Sequence, residues 1–206
     1  MSATNRGSKR TNKDQYMTPD YSVMSLIENR KHAWDGGIFG DICCGDGEIL
    51  RRLRANIRCA TLGSDIDSKM VEMARFNSNE SNITERDALE LTYFDNWFHV
   101  IVTNPPFSIW MDIVVKMREL APESWALLRL NCFGAQYRKS FWNQPGMMPN
   151  ELLILSKRPR FRKPSKEYWM PENYCNIGKG TDATEYAWFG WTGPQTEIPQ
   201  TRIKVV

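Results

Sequence analysis

The sequence predicts an α/β fold: a doubly wound, mostly parallel sheet of seven strands that ends in an antiparallel hairpin. Two observations carry this. From residue 36 to residue 144, short apolar runs alternate with segments of helical periodicity, the pattern of strand–helix–strand units joined by right-handed crossovers. Beyond residue 150, two β-rich runs follow with no helical pattern between them, which predicts an antiparallel pair joined by a long loop, 162–184.

Each element has its own signal. The segment TPDYSVMSLIENRKHAW opens with Thr18 as a cap and Pro19 at the first helical position. GGIFGDIC is a short apolar strand, and GEILRRLRANI sets Ile49, Leu50, Leu53 and Ile57 on one helical face. CATLGSDID is the second strand. SKMVEMARFN is a helix turning Met70, Met73, Ala74 and Phe76 inward. NITERDALE is a weaker strand and FHVIVTN a strong one. SIWMDIVVKMREL is a helix capped by Ser108, with Ile109, Ile113, Met117 and Leu120 as its stripe. SWALLRLN is a strand and YRKSFWNQ a short helix; ELLILSKRPRF and ATEYAWFGW form the terminal pair.

At 206 residues the chain suits one domain. The division read from it is a basic arm at 1–15, a single domain at 16–191 and a tail at 192–206. Hydrophobic residues make up 41%, enough for a core, and the formal charge of +3 excludes a global polycation. Charge is local instead. The arm carries Arg6, Lys9, Arg10 and Lys13 with almost no apolar residue, the composition of a disordered segment. Lys157, Arg158, Arg160, Arg162, Lys163 and Lys166 surround Phe161 in a non-helical stretch, a candidate phosphate contact with solvated surface as the alternative. No apolar run has membrane-spanning length and no signal-peptide core opens the chain. Five cysteines without a CxxC pair indicate neither a disulfide framework nor a zinc site. With two histidines besides, no metal is expected, and reduced cytosol is the expected compartment.

The chemistry gathers at strand ends. Asp41 closes the first strand and Gly45 and Gly47 follow, so the backbone can approach a ligand and the next helix presents free N–H groups. About twenty residues on, Asp65 ends the second strand, placed to accept both ribose hydroxyls of an adenosine ligand while Ile66 covers an adenine face. Asp87-Ala88 closes the third strand, placed for an adenine amino group. Asn104-Pro105-Pro106-Phe107 closes the fourth. Two prolines stop a strand and stiffen its end, although Asn-Pro also begins ordinary turns.

In this order, DICCGDG, GSDID, RDA and TNPPF resemble the class I S-adenosylmethionine-dependent methyltransferases, which have a Rossmann-like fold with a terminal antiparallel pair. TNPPF looks like the signature of those that methylate exocyclic amino groups. YMTPD is similar to the Tyr/Phe-x-Thr-Pro element of DNA adenine-N6 methyltransferases in the gamma arrangement, many of them phage-encoded or restriction-associated. The resemblance spans about residues 16–191. It implies S-adenosyl-L-methionine as cofactor, with Asp41, Cys43, Gly45 and Gly47 near its methionine end. Tyr16, Thr18 and Pro19 would pack nearby, Asp65 and Ile66 would hold ribose and adenine, and Asp87 and Ala88 the adenine edge. Asn104 and the Pro105 carbonyl would hold the target amine, with Phe107 stacked on a flipped base. DNA is the implied partner, with RNA and protein glutamine as alternatives. A monomer or weak dimer in prokaryotic or phage-infected cytosol is implied, with room for a partner subunit that completes recognition.

One departure stands out. No separate target-recognition domain follows the catalytic part, so recognition is expected from residues 131–150, the 158–166 segment and the arm. Tyr137, Phe141, Trp142, Tyr168 and Trp169 are candidates for base stacking, or for the hairpin's own core.

Overall fold

The computed structural model describes residues 16–79, 82–93, 97–161, 184–193 and 201–206. Parallel strands β1 (Ile38–Asp41), β2 (Ala60–Asp65), β3 (Ile83–Glu85), β4 (Val100–Thr103) and β5 (Glu123–Arg129) alternate with helices. The helices are α1 (Asp20–Arg30), α2 (Glu48–Asn56), α3 (Ser68–Ser78), α4 (Trp110–Leu120) and the short α5 (Lys139–Trp142). Strands β6 (Glu151–Ile154), β7 (Tyr186–Thr192) and β8 (Arg202–Val205) complete an eight-stranded sheet of order β3-β2-β1-β4-β5-β7-β6-β8. The expected α/β sheet is therefore present, and β7 runs antiparallel between β5 and β6.

Strand β8 corrects the expected count of seven. It pairs with β6 in parallel, and Arg202 donates to Glu151 across that pair at 2.6 Å. Residues 202–205, read as tail, belong to the sheet. Their side chains are exposed and alternate apolar with basic, so no buried face announces the strand.

Alternate residues of the central strands feed two apolar layers. Trp125, Leu127, Tyr186 and Trp188 face α1 and α2, whereas Ala126, Leu128, Ala187, Phe189 and Trp191 face α4 and α5. Five buried indoles have an acceptor. Trp125 and Trp34 both donate to Glu123, Trp188 to the Ser22 carbonyl, Trp191 to that of Met147 and Trp142 to that of Cys132. Phe141 and Trp142 are buried in the layer against α4, which settles them as core; Tyr137 is exposed.

Several local expectations are corrected. Pro19, not Thr18, occupies the N-cap position of α1, and its carbonyl accepts from Ser22. Helix α1 stops at Arg30 rather than Trp34. Met70, Met73 and Ala74 are buried, but Phe76 is 77% exposed, because it lies about 240° around α3 from Met70. Ile109 takes the N-cap position of α4, without a side-chain cap, so Ser108 is not the cap and Ile109 leaves the buried stripe. Strand β3 stops at Glu85 and a 3₁₀ turn follows at Ala88–Glu90. Residues 1–15, Arg162, Lys163, Lys166, Tyr168, Trp169 and Cys175 lie outside the described residues.

Gly190 sits opposite Trp125 across the β5–β7 pair, and an added Cβ would lie 2.4 Å from the Trp125 ring. A rigid indole braced on both sides has nowhere to move. Gly190→Ala is expected to destabilise the protein by roughly 1–3 kcal/mol, read as a lower urea midpoint at unchanged slope.

Candidate active site

The sheet order places β1 beside β4, the point where successive connections leave in opposite directions, and ligands of such sheets bind in the crevice there. Asp41 ends β1 and Thr103 ends β4. The Thr103 hydroxyl donates to Asp41 Oδ1 at 2.6 Å, and the Cys43 backbone N–H donates to the same oxygen at 3.2 Å. Asp41 Oδ2 is buried and has no hydrogen-bond partner among the described residues. Burial, chiefly, and the nearby Asp65 and Asp46 charges push the Asp41 carboxyl up to about 7, against the Thr103 and Cys43 hydrogen bonds. A buried carboxylate oxygen without a donor is an acceptor waiting for a cation.

The loop after β1 turns on Gly45 (φ 51°) and Gly47 (φ 81°), both in the left-handed region that favours glycine. The Gly45 N–H donates to Asp65 Oδ2 at 2.9 Å, and the Asp67 N–H donates to Asp65 Oδ1 at 2.9 Å. Asp65 thus braces the loop as well as ending β2. Gly47 also governs helix packing: an added Cβ would lie 3.0 Å from the Ala74 backbone, so this glycine sets the approach of α2 to α3. Asp87 also has a local task, accepting from the Leu89 N–H at 2.9 Å to cap the 3₁₀ turn.

One cavity brings most of the expected residues together. Tyr16, Cys43, Gly45, Asp65, Ile66, Asp87, Ala88 and Asn104 through Phe107 all line it. Thr18, Pro19, Asp41 and Gly47 are not in its wall. Asp41 lies beneath the loop, and Thr18 accepts a bond from Asn104 instead of facing the cavity. Met17, Ile42, Met70, Ile109 and Ile113 are lining residues that the motifs did not single out. Ile66 is 66% exposed, an apolar surface at the rim. Cys43 and Cys44 have thiols that burial raises well above their ordinary range, so they are neutral, non-nucleophilic groups at pH 7.

Asn104 has a defined orientation. Its Nδ2 donates to the Tyr16 carbonyl and to the Thr18 hydroxyl, each at 3.2 Å, while its Oδ1 is buried without a partner among the described residues. Phe107 is half-buried. Its ring lies 5.8 Å from that of Tyr16, 6.0 Å from Tyr186 and 6.2 Å from Phe161. The Arg129 guanidinium stands over Phe107 at 4.3 Å and donates to the Tyr186 hydroxyl at 2.8 Å. Arg129, at the end of β5, had no local signal. Among the basic residues, Arg158 pairs with Glu185 at 2.6 Å and the Lys157 ammonium lies 4.8 Å over the Tyr21 ring; Arg160 is exposed. No metal-ligand group of three or more carboxylates, histidines or cysteines exists among the described residues, and no helix there is long and apolar enough to cross a membrane.

Comparison with known proteins agrees with this geometry. Residues 40–124 match a methyltransferase domain family. The chain is 23% identical over 143 residues to the release factor glutamine methyltransferase of Borreliella burgdorferi, of which it spans about half the length (50%, with 66% of this chain covered). Similar solved structures include a candidate RNA methyltransferase from Pyrococcus horikoshii, with a TM-score of 0.65, 12% identity, and 88% of each chain covered. A TehB-like S-adenosylmethionine-dependent methyltransferase from Corynebacterium glutamicum has a TM-score of 0.55 and 12% identity, over 83% of this chain and 87% of that one. The N-methyltransferase NodS from Bradyrhizobium japonicum has a TM-score of 0.54 and 12% identity, over 84% and 94%.

The residues present fit S-adenosyl-L-methionine. The unpartnered Asp41 oxygen suits an α-ammonium group, the glycine turn leaves room for close approach, and the carboxylate of Asp65 with exposed Ile66 suits a ribose and an adenine. Two outcomes are expected. Because Asp41 must be ionised to meet an ammonium, cofactor affinity measured by calorimetry should rise from pH 6 to pH 8, through the raised carboxyl value of about 7. In the free protein the sign is opposite. A carboxyl raised on folding stabilises fully only below its unfolded value near 3.8, and that contribution is lost as pH climbs to about 7. Asp41→Asn should therefore raise the thermal midpoint of the free protein at pH 8 by roughly 3 °C or more, while abolishing measurable cofactor binding. With an eight-stranded Rossmann-like sheet and a methyltransferase domain match that runs from within β1 to the start of β5, the chain has the S-adenosylmethionine-dependent methyltransferase fold, which implies S-adenosyl-L-methionine as its cofactor.

Proposed function

We propose that this chain transfers a methyl group from S-adenosyl-L-methionine to the exocyclic N6 of adenine in DNA. The observation that carries this is Asn104 Oδ1, a buried acceptor without a partner, at the end of β4 and followed by two prolines. An adenine amino group is a weak nucleophile because its lone pair is conjugated into the ring. Asn104 Oδ1 and the Pro105 carbonyl accept its two N–H bonds and draw the nitrogen toward tetrahedral geometry. Stiff acceptors are required, and Pro105-Pro106 supplies the stiffness. When bound, the cofactor supplies an electrophilic methyl group, so no strong base or protein nucleophile is needed.

A base within a duplex must be flipped out to reach such a crevice. Phe107 offers it a stacking surface, and Arg129 with Tyr186 holds that ring in place. Around the entrance, Tyr137 is 64% exposed and lies beside the Arg138 guanidinium, 4.9 Å from its ring. That guanidinium also stands 6.0 Å from Trp110, which opens α4 just after the Asn-Pro-Pro-Phe turn. Such a rim suits backbone contact and stacking more than the reading of a long sequence, so relaxed target preference follows. Arg160 is exposed beside Phe161, whose ring lies 6.2 Å from that of Phe107.

Two other acceptors are favoured by specific likenesses. The curated relative is a release factor glutamine methyltransferase, and a glutamine side chain also offers two amide N–H bonds. A similar structure is a candidate RNA methyltransferase. Phe107 where glutamine enzymes usually have Tyr, together with the basic rim, supports nucleic acid.

Transfer from labelled S-adenosylmethionine to duplex DNA, single-stranded DNA, RNA and bulk protein separates them. Label is expected in DNA, and Asn104→Ala should lower that rate by about a hundredfold or more at little-changed cofactor affinity. Label confined to RNA or to protein would overturn the DNA assignment in favour of that acceptor.

A further inference from the structure

We propose that Thr18 is a positioning residue for Asn104: the Tyr16 carbonyl selects which end of the Asn104 amide faces the target amine, and the Thr18 hydroxyl, by taking the second Nδ2 proton, holds the amide in that orientation. The proposal rests on the reading of Asn104 as the amine's acceptor, and it differs from the role in cofactor binding that the resemblance implied for Thr18.

The oxygen and nitrogen ends of an asparagine amide are nearly equal in size but opposite in hydrogen-bonding sense. Rotated by half a turn, Asn104 would confront an incoming amine with donors and would block the chemistry. Packing alone does not select the orientation; hydrogen bonds do. The Tyr16 carbonyl accepts only, so a rotated amide would oppose two acceptors at the present 3.2 Å separation. The Thr18 hydroxyl takes the second Nδ2 proton at 3.2 Å. With both protons held, Oδ1 is left as the acceptor, buried and without a partner among the described residues.

The segment that supplies these acceptors is itself anchored. Met17 is buried with Met70 and Met73 of α3, the Tyr16 ring lies 5.8 Å from that of Phe107, and the Pro19 carbonyl accepts from both the backbone N–H and the hydroxyl of Ser22. One short stretch, Tyr16 to Pro19, thus braces both Asn104 and Phe107 from 86 or more residues away in the chain. A hydroxyl at position 18 has no such partner in a simple helix cap, and the structure places Pro19 rather than Thr18 at the N-cap.

Thr18→Val keeps the shape and removes the acceptor; Thr18→Ser keeps the acceptor. In the free protein, the Asn104 side-chain NH₂ signals are assigned by their loss in Asn104→Ala. In Thr18→Val, one of the two protons is expected to shift and to exchange with water about tenfold faster or more, on the order of one hydrogen bond. Thr18→Ser should retain the wild-type signals. On whichever acceptor the wild type methylates, kcat of Thr18→Val should fall about tenfold or more, with KM and Kd for the cofactor unchanged and with recovery in Thr18→Ser. Unchanged Asn104 signals and kcat in Thr18→Val would overturn the proposal, and so would a loss confined to cofactor affinity. If the wild type transfers no label to any acceptor, the proposed function fails, while the NH₂ signals still decide the placement of Thr18.

Discussion

The contact between the Thr103 hydroxyl and Asp41 Oδ1 joins the ends of β1 and β4 at the one place where the sheet's winding reverses. Much of the crevice follows from it. It fixes one carboxylate oxygen inward and leaves the other without a donor. It also fixes the end of β4, and the next residue is Asn104, whose Oδ1 is a second orphan acceptor and whose side chain lines the crevice. Two buried acceptors without partners cost stability in the free protein. On the proposed function, the cofactor's ammonium group would relieve one and the acceptor's amine the other.

The aromatic half of the sheet provides the rigidity that this arrangement needs. Inserting β7 between β5 and β6 buries Tyr186, Trp188, Phe189 and Trp191 in a single strand. Gly190 is what lets the Trp125 indole lie across it. Tyr186 then transmits that rigidity to the site, since it touches Phe107 and Phe161 and accepts from Arg129. Phe107 is therefore not a loose ring on a loop tip. It is seated on the core, with a cation over its face.

Much of this was legible in the sequence, and the limits have physical causes. Buried parallel strands are short apolar runs, and Asp41, Asp65 and Asn104 stand out because each ends or directly follows one, whereas Asp87 lies two residues past the end of β3. The terminal pair was legible from two β-rich runs without a helix between them. Strand β8 was not, because an exposed edge strand needs no apolar face and Arg202–Val205 offers only alternating charge. Thr18-Pro19 has the local pattern of a helix start, and Ser108 that of a cap. In both cases tertiary bonds or turn geometry override the local preference: Thr18 bonds to Asn104, just past the end of β4, and Ile109 takes the cap position after the Pro106 carbonyl accepts its N–H. Arg129 is invisible locally, since its partners Phe107 and Tyr186 are distant in the chain. Helical phase alone would have excluded Phe76.

If Asn104 Oδ1 selects an amine, the chemistry it directs must end on nitrogen. The decisive measurement is the position of the transferred methyl group: digestion of the labelled acceptor to its monomers, followed by mass spectrometry. A methyl group on an exocyclic amino nitrogen is expected, N6-methyladenine first among them. A methyl group on a ring carbon, a ring nitrogen or a hydroxyl oxygen would contradict the role given to Asn104.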